Sequence, residues 1–171
     1  WIVVDPNDDG LQVAEAEVEG EPGEVARVCD RMEKELRVQV VRRIVDPNMA
    51  ESPSSATERE KTWRQEFDNV GLRCSLADDD FVRGKNRGND MMKPDPMTRR
   101  PRLRMIRERC PRAIFQFNRF TWAEWHRWSS GDKDAKQKPK DKHSDFPALW
   151  RYFANEQVHF RSLQTGGEIL Q

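Results

Sequence analysis

Two aspartates follow or precede predicted secondary-structure elements, and they are the side chains best placed to do chemistry. Asp46 follows the run 38–45, which is typical of an interior strand because apolar residues occupy both of its faces. Asp145 precedes the segment 146–153, whose apolar residues recur at helical spacing. Carboxylates from separate elements are the hard oxygen ligands that two-metal phosphodiester cleavage requires. Each aspartate also has a simpler explanation, because an Asp before Pro-Asn is typical of a turn and an Asp before a helix is typical of a cap.

The elements that must position these aspartates alternate between strands and helices, which predicts an α/β fold. The length of 171 residues fits a single domain, assigned here to 1–160, with a C-terminal tail over 161–171. We predict a hairpin over 1–18, a helix over 25–36, strands over 38–45, 72–77 and 102–106, and helices over 57–70, 81–92, 111–122 and 145–153.

Helix-capping residues and loops mark the boundaries of these predicted elements. Thr57 and Glu60 form a capping-box pattern at the start of one helix, and Asp80 is a candidate N-cap for the next. Loops are predicted over 47–55, over the proline-containing stretch 93–101 and over the lysine-rich stretch 129–142.

Charge is strongly segregated along a chain whose 30 basic and 30 acidic residues cancel. Residues 1–36 hold 11 acids and 3 bases, a net charge of -8, whereas residues 83–142 hold 18 bases and 7 acids, a net charge of +11. The basic stretch has no acidic complement within itself, so it predicts a surface for a polyanion, and a solvated surface is the alternative. The candidate DNA-binding residues are Arg99, Arg100, Arg102, Lys133, Lys136, Lys138, Lys140 and Lys142.

Several function classes lack their motifs in this sequence. There is no G-x-x-x-x-G-K-[ST] or G-x-G-x-x-G phosphate-binding pattern, no G-x-S-x-G nucleophile pattern and no H-E-x-x-H zinc pattern. No apolar run approaches the roughly 18–20 residues that a membrane span requires, so we expect no membrane partner.

The order of five segments resembles a known family. In this order and spacing they resemble the C-terminal nuclease domain of the large terminase subunits of tailed bacteriophages, over nearly the whole chain. The segments are Trp1–Asp5, Arg42–Asn48, Ala77–Asp80, Phe115–Trp122 and Lys140–Leu149.

The resemblance implies an RNase H-like mixed sheet flanked by helices, here lacking its first strand. It implies a metal-dependent endonuclease that cuts concatemeric double-stranded DNA with two Mg²⁺ or Mn²⁺ ions during viral DNA packaging. The implied partners are double-stranded DNA, the terminase ATPase domain, the small terminase subunit and the portal. The implied location is the cytoplasm of the host cell, for a viral or prophage protein.

The resemblance also implies roles for individual residues. Asp46 matches the second metal-binding acid of the family and Asp145 matches the third, so both are implied as catalytic residues and metal ligands. Asp5 is a candidate for the first acid, although its strand matches the second strand of the family better, which places the first acid before Trp1. Asp141 is a further candidate ligand, and His143 is expected to hydrogen-bond a ligand from outside the metal's own coordination.

Two alternatives remain open on the sequence. One is another RNase H-like DNA enzyme, such as a resolvase or transposase core. The other is a non-catalytic basic DNA-binding module, in which the aspartates only cap secondary-structure elements.

Overall fold

The computed structural model describes residues 1–54, 61–121 and 143–162, and these residues form a mixed α/β structure, in agreement with the predicted class. The strands are β1 (Ile2–Val4), β2 (Gly10–Gln12), β3 (Ile44–Val45), β4 (Ser75–Leu76) and β5 (Leu103–Met105). The helices are α1 (Pro22–Leu36), α2 (Pro47–Glu51), α3 (Trp63–Asn69), α4 (Phe81–Met92), α5 (Pro111–Arg119) and α6 (Asp145–Glu156), and a 3₁₀ turn covers Arg107–Arg109. The predicted basic loop and most of the predicted tail lie outside the described residues.

Local signals explain where several helices begin. Pro22 and Pro111 occupy the first turns of α1 and α5, where the amide that proline lacks would have no partner within the helix. The carboxylate of Asp80 accepts a hydrogen bond from the Arg83 amide at 2.9 Å, so α4 begins at the predicted N-cap.

The described strands form two small sheets. In the three-stranded sheet β2 is central, antiparallel to β1 and parallel to β5, with Gly10 opposite both Val4 and Leu103. In the second sheet β3 and β4 are parallel, and Ile44 lies opposite Ser75. The predicted hairpin and the strand near residue 103 are therefore present, whereas the predicted single mixed sheet is divided in two among these residues.

The strand predicted over 38–45 is confined to Ile44–Val45, and the strand predicted over 72–77 is confined to Ser75–Leu76. A β-branched run becomes a strand only where it finds a pairing partner. Here each strand is the partner of the other, and two residues of each meet in parallel register.

A helix replaces the first part of the loop predicted over 47–55. Asp46 is the N-cap of α2 and Pro47 is its first residue, an arrangement that favours a helical turn. The sequence interpretation assigned Asp46 and Pro47 to a turn and missed this combination of signals.

The described part of the helix predicted over 57–70 begins only at Trp63. Helix α3 begins after Thr62, whose hydroxyl accepts the Gln65 amide while the Gln65 side chain accepts the Thr62 amide. The predicted pair Thr57 and Glu60 lies outside the described residues. The same motif therefore occurs twice within a few residues, and the second copy defines the observed helix.

Three apolar clusters form the core of the described residues. The first joins β3, α2 and α3 and consists of Val45, Ala50, Phe67 and Leu72. The second joins β5 to α6 and consists of Leu103, Trp150 and Phe153. The third joins α5 to α6 and consists of Cys110, Ala113 and Phe146. Helix α6 thus belongs to two of the three clusters. It contacts the sheet formed by β3 and β4 through polar side chains.

Candidate functional site

Asp46 lies immediately after β3, and its carboxylate joins three elements. Its Oδ1 accepts the amides of Asn48 at 2.8 Å and Met49 at 3.1 Å, which caps α2. Its Oδ2 accepts the hydroxyl of Tyr152, from the middle of α6. The carboxylate therefore fixes the end of β3 against both the short helix that follows and the helix that ends the described fold.

The electrostatics of this contact favour an ionised Asp46. Partial burial opposes ionisation, but the hydrogen bonds from Tyr152, Met49 and Asn48, together with the charge of Arg151, hold the pKa of Asp46 below its ordinary value. Burial first, and then the bond to Asp46, raise the pKa of Tyr152 well above its usual range. Tyr152 is therefore a neutral donor and Asp46 an anionic acceptor at neutral pH.

Asp145 is the first residue of α6, and Ser144 occupies the N-cap position that the sequence interpretation gave to Asp145. The Asp145 side chain is exposed, and its Oδ2 accepts the side-chain amide of Gln116 at 3.0 Å. The carboxylate also lies at the positive end of the helix dipole, which favours a negative charge. Asp145 is thus held at the surface by a bond from α5.

Asp145 begins α6, whereas Asp46 contacts the same helix only through Tyr152. Asp145 and Tyr152 are seven residues apart on α6, which corresponds to a rise of about 10.5 Å and nearly two full turns. Both side chains therefore project from the same face of the helix, and Tyr152 donates to Asp46. The sequence predicted neither Tyr152 nor this pairing of strand end and helix.

A second group of acids follows β4 at the same carboxyl end of the parallel pair. The amide of Asp80 and the guanidinium of Arg83 bind Asp78 and hold its pKa below the ordinary value. The carboxylate of Asp79 accepts Arg151 at 3.2 Å. Arginines neutralise these carboxylates, so this group is better suited to fixing α4 and α6 than to binding a cation.

Helix α6 contacts the end of β4 through two further side chains. The amide of Asn155 donates to the carbonyls of Asp78 and Asp80, at 2.9 Å each. The carboxylate of Glu156 accepts the Asp78 amide at 3.2 Å and pairs with Arg42 at 2.6 Å. The sheet formed by β3 and β4 is therefore attached to α6 by directional polar contacts.

The remaining candidate ligands lie in other settings. Asp5 accepts the amides of Asn7 and Asp9 at 2.8 and 3.0 Å, so it stabilises the turn between β1 and β2. Asp141 lies outside the described residues. His143 has a positive φ of 64° and packs edge-on against Phe115, with ring centroids 5.2 Å apart. The imidazole ring of His143 therefore packs against a phenyl ring.

The predicted DNA-binding arginines are all exposed. Arg99 has a positive φ of 58° in the loop before β5, and Arg100 follows it. Arg102 donates to the Asp8 carbonyl at 3.2 Å and lies 3.4 Å from the Asp9 carboxylate. The predicted lysines, Lys133, Lys136, Lys138, Lys140 and Lys142, lie outside the described residues.

Acids from outside the basic stretch 83–142 pair with part of it in the folded chain. Arg104 lies 3.6 Å from Asp9, and Arg112 pairs with Glu17 at 2.7 Å. The Glu15 carboxylate accepts the amides of Arg112 and Ala113 at the start of α5. Folding therefore places the acidic N-terminal segment against β5 and α5, which neutralises part of a charge that is segregated only along the sequence.

The described residues offer a limited set of ligands to a metal ion. Across 1–54, 61–121 and 143–162, no group of three or more His, Cys, Asp or Glu side chains is arranged to hold one. Asp46 and Asp145 therefore belong to no such group among these residues, and each carboxylate accepts a hydrogen bond from an uncharged side chain, Tyr152 and Gln116 respectively.

Comparison with known proteins yields no relative from which the roles of these residues could be inferred. No family model, no curated protein and no solved structure matches the chain. Among the described helices, none has the length and apolar character needed to cross a lipid bilayer.

Proposed function

We propose that the chain is the metal-dependent endonuclease domain of a viral DNA-packaging terminase, with an RNase H-like fold, which cuts concatemeric double-stranded DNA. The resemblance of its ordered segments to the nuclease domain of large terminase subunits supports this proposal. On this basis its partners are double-stranded DNA, the terminase ATPase domain, the small subunit and the portal, and it acts in the host cytoplasm.

The observation that carries the proposal is the position of α6. Its first residue is Asp145, and its Tyr152 binds Asp46 at the end of β3. Ligands in open α/β sheets bind beyond the carboxyl ends of the strands, which is where Asp46 lies. A helix that carries one acid and binds the other supports a shared role for the two carboxylates.

The two carboxylates have the chemistry that Mg²⁺ or Mn²⁺ favours. Asp46 is kept ionised by its hydrogen bonds, and Asp145 is exposed at the start of a helix. Bound divalent ions supply activation of the attacking water and neutralisation of charge on the leaving oxygen. Asp46 and Asp145 would hold these ions, together with a first acid provided by Asp5 or by a residue before Trp1.

Arginines at the surface suit the phosphate backbone of the substrate. Arg99 and Arg100 are exposed in the loop before β5, and Arg119 is exposed at the end of α5. Arginine binds phosphate oxygens without reading the bases, so the binding should tolerate many sequences. Each phosphate contact contributes about -0.9 to the log–log slope of affinity against salt, which makes binding strongly salt-dependent.

The test compares the wild-type chain with Asp46→Asn, Asp145→Asn and the control Asp30→Asn. The Asn substitutions keep the shape and a hydrogen-bonding oxygen but remove the charge, and Asp30 is an exposed acid on α1 that pairs with Lys34. We expect Mn²⁺ binding, followed by electron paramagnetic resonance, and nicking of plasmid DNA to weaken at least about tenfold in both site variants. Control and wild type should behave alike.

A non-catalytic DNA-binding module is the second candidate, because Asp46 caps α2 as a purely structural aspartate would. That function predicts salt-dependent DNA binding with no divalent-metal dependence in any variant. Metal-independent binding by wild type, unchanged in Asp46→Asn and Asp145→Asn, would therefore replace the nuclease proposal. Another RNase H-like DNA enzyme would share the metal dependence and differ in its DNA substrate.

A further inference from the structure

A highly exposed methionine lies at the tip of the loop between α4 and β5. Met97 is 90% exposed, and the next most exposed large apolar side chain among the described residues, Val82, reaches 62%. Single apolar side chains are common on protein surfaces, so exposure alone assigns no role. Met97 differs from the others in the closed loop that presents it and in the charges beside it.

Residues 94–101, which we call the proline loop, close on themselves. An antiparallel bridge joins the two ends of the loop, and the Asp95 amide donates to the Arg100 carbonyl at 3.0 Å. The Asp95 carboxylate accepts the amides of Met97 and Thr98, at 2.8 Å each. Three prolines fix φ at their own positions. The backbone of the tip is therefore organised by its own contacts, so binding through the tip loses little conformational entropy.

The chain that follows the tip is basic. Arg99 and Arg100 are exposed, and neither guanidinium pairs with an acid among the described residues. The one acid of the loop, Asp95, is occupied by the amides of the turn. Arg99 also has a left-handed φ of 58°, a strained conformation of the kind that clusters at ligand-binding sites. Two arginines thus follow an apolar tip without an acidic partner in the described fold.

Both ends of the proline loop are anchored to regular structure. The carbonyl of Arg102 accepts the Gly10 amide at 2.8 Å, and its guanidinium lies 3.4 Å from the Asp9 carboxylate. At the other end, Lys93 follows the last residue of α4 and pairs with Asp90 at 2.7 Å. The loop is therefore held at its base while its tip and its two arginines are exposed.

We propose that the proline loop is a DNA wedge, in which Met97 inserts between adjacent base pairs from the minor groove while Arg99 and Arg100 bind nearby phosphates. This rests on the proposed function only in taking duplex DNA as the ligand. Methionine is among the apolar side chains that proteins insert between base steps, which unstacks and bends the duplex. Phosphates supply the negative charge that the two arginines lack within the described fold. The substrate class is thus duplex DNA that can be kinked.

An anionic membrane is the other surface that a basic loop with an apolar tip could enter. Segments that lie in a membrane surface bury several large apolar side chains together. Met97 is the only large apolar residue of the proline loop, between Pro96 and Thr98. A single side chain fits the gap between two base pairs, so the composition of the tip favours DNA.

The test measures unstacking of DNA by the full chain in EDTA, where metal-dependent cutting does not occur. The probe is a duplex of about 20 base pairs with 2-aminopurine at a central TA step, because such steps unstack most easily. The fluorescence of 2-aminopurine rises when the base leaves the stack. The chains are the wild type, Met97→Gln, the double variant Arg99→Gln with Arg100→Gln, and the controls Met92→Gln and Arg73→Gln.

The controls repeat the same exchanges elsewhere on the surface. Met92 is 37% exposed at the end of α4, and Arg73 is exposed just before β4. Because the exchanged side chains of the loop are exposed, we expect thermal unfolding of all variants to match the wild type. A lost signal in a loop variant then reports on the contact with DNA.

At saturating protein we expect the fluorescence to rise with the wild type and Met92→Gln, and most of this rise to be lost in Met97→Gln. Met97→Gln should keep the salt dependence of binding, because it removes no charge. The double arginine variant should lower the log–log salt slope by about 1.8, or about 0.9 for each phosphate contact, whereas Arg73→Gln should leave it unchanged. An equal rise in wild type and Met97→Gln would overturn the wedge, and an unchanged slope in the double variant would overturn the phosphate contacts.

Nicking of plasmid DNA in Mn²⁺ by the same chains separates this inference from the proposed function. Nicking by a wild type that unstacks no DNA overturns the wedge alone, whereas unstacking without nicking contradicts the nuclease and supports the wedge in a DNA-binding module. A wild type that binds no DNA contradicts both. Vesicles of phosphatidylglycerol and phosphatidylcholine test the membrane alternative. If Met97→Gln weakens vesicle binding but unstacks DNA as Met92→Gln does, the loop binds membranes and the wedge is overturned.

Discussion

The two sides of helix α6 hold the fold together by different forces. On one side Trp150 and Phe153 pack against Leu103 of β5, and Phe117 of α5 meets the Trp150 ring at 4.8 Å. On the other side Tyr152, Asn155 and Glu156 reach the ends of β3 and β4 through hydrogen bonds. The three-stranded sheet is thus attached mainly by apolar burial, with one hydrogen bond from Trp150 to Gln12, and the two-stranded sheet by polar contacts.

The polar attachment of α6 depends more strongly on geometry than the apolar attachment does. Apolar burial is non-directional, so small displacements cost little, whereas hydrogen bonds weaken steeply when their angles change. The Oδ1 atom of Asn155 is buried with no hydrogen-bond partner among the described residues, so the polar side is incompletely satisfied. Asp46 belongs to that side, and its position therefore depends on the less tolerant of the two attachments.

Removal of the largest apolar anchor should have the greatest effect. Trp150 is 5% exposed, and its indole nitrogen donates to Gln12 at 2.5 Å. Trp150→Ala should lower the free energy of unfolding by about 3–5 kcal/mol, because it leaves a cavity and an unpaired acceptor. Urea unfolding measures this loss. Leu149→Ala, at a neighbouring position that is 43% exposed, should cost less than about 1 kcal/mol, and equal losses would contradict the assignment of an apolar side.

A matched pair of glycines on α4 should sharpen the comparison. A Cβ at Gly84 would collide with the side chain of Arg151 and approach Asn155 within 2.9 Å, whereas a Cβ at Gly88 would meet only Ala154, at 4.0 Å. Gly84→Ala should therefore destabilise the fold by about 1–3 kcal/mol. Gly88→Ala should stabilise it by about 0.5–1 kcal/mol through helix propensity. Thermal unfolding of the two variants should show shifts of opposite sign.

The bond between Tyr152 and Asp46 should give a pH-dependent effect. The folded pKa of Asp46 is lowered, so its stabilising contribution is present above the unfolded value of about 3.9 and is lost as pH falls through the folded value. Tyr152→Phe should therefore cost about 1–2 kcal/mol at pH 7 and less in acid. Urea unfolding at pH 7 and at about pH 2, below the lowered folded pKa, tests this difference, and a cost independent of pH would show that the hydroxyl does not act through the carboxylate.

The smallest effect should come from the ion pair of Arg42 and Glu156. The Arg42 side chain is 45% exposed although its partner is buried, so the pair is partly screened by solvent. Arg42→Gln should lower the free energy of unfolding by about 1 kcal/mol or less, and added salt should reduce the difference between variant and wild type. A loss as large as that of Trp150→Ala would mean that the polar side of α6 carries as much energy as the apolar side.

The sequence predicted the elements that depend on local signals. Pro111 and Asp80 mark helix starts, and the alternation around Leu103 marks a strand, because these patterns act over a few residues. The strand over 38–45 was overpredicted because its extent depends on β4, whose paired residues lie 31 positions further along the chain. Pairing between strands far apart in the sequence cannot be recognised from the residues of one strand alone.

The site was predictable only in part, for the same reason. Asp46 and Asp145 stand out by position, but Tyr152 and Gln116 read as ordinary members of helical segments. Tyr152 is the only tyrosine of the chain and lies seven residues after Asp145. That spacing, which puts both residues on one face of a helix, is the sequence signal that could have identified Tyr152. Gln116 lies on the apolar face of its helix, and a polar residue there indicates a buried partner without identifying it.

The long separation of the partners of α6 has a consequence for how the chain folds. Trp150 bonds to a residue 138 positions earlier, and Tyr152 bonds to one 106 positions earlier. Contacts between distant residues form slowly, because the intervening chain loses entropy when its ends meet. During synthesis the hairpin and the paired strands leave the ribosome long before the helix that covers them. Both sheets therefore remain without their common support until the same 12 residues are made.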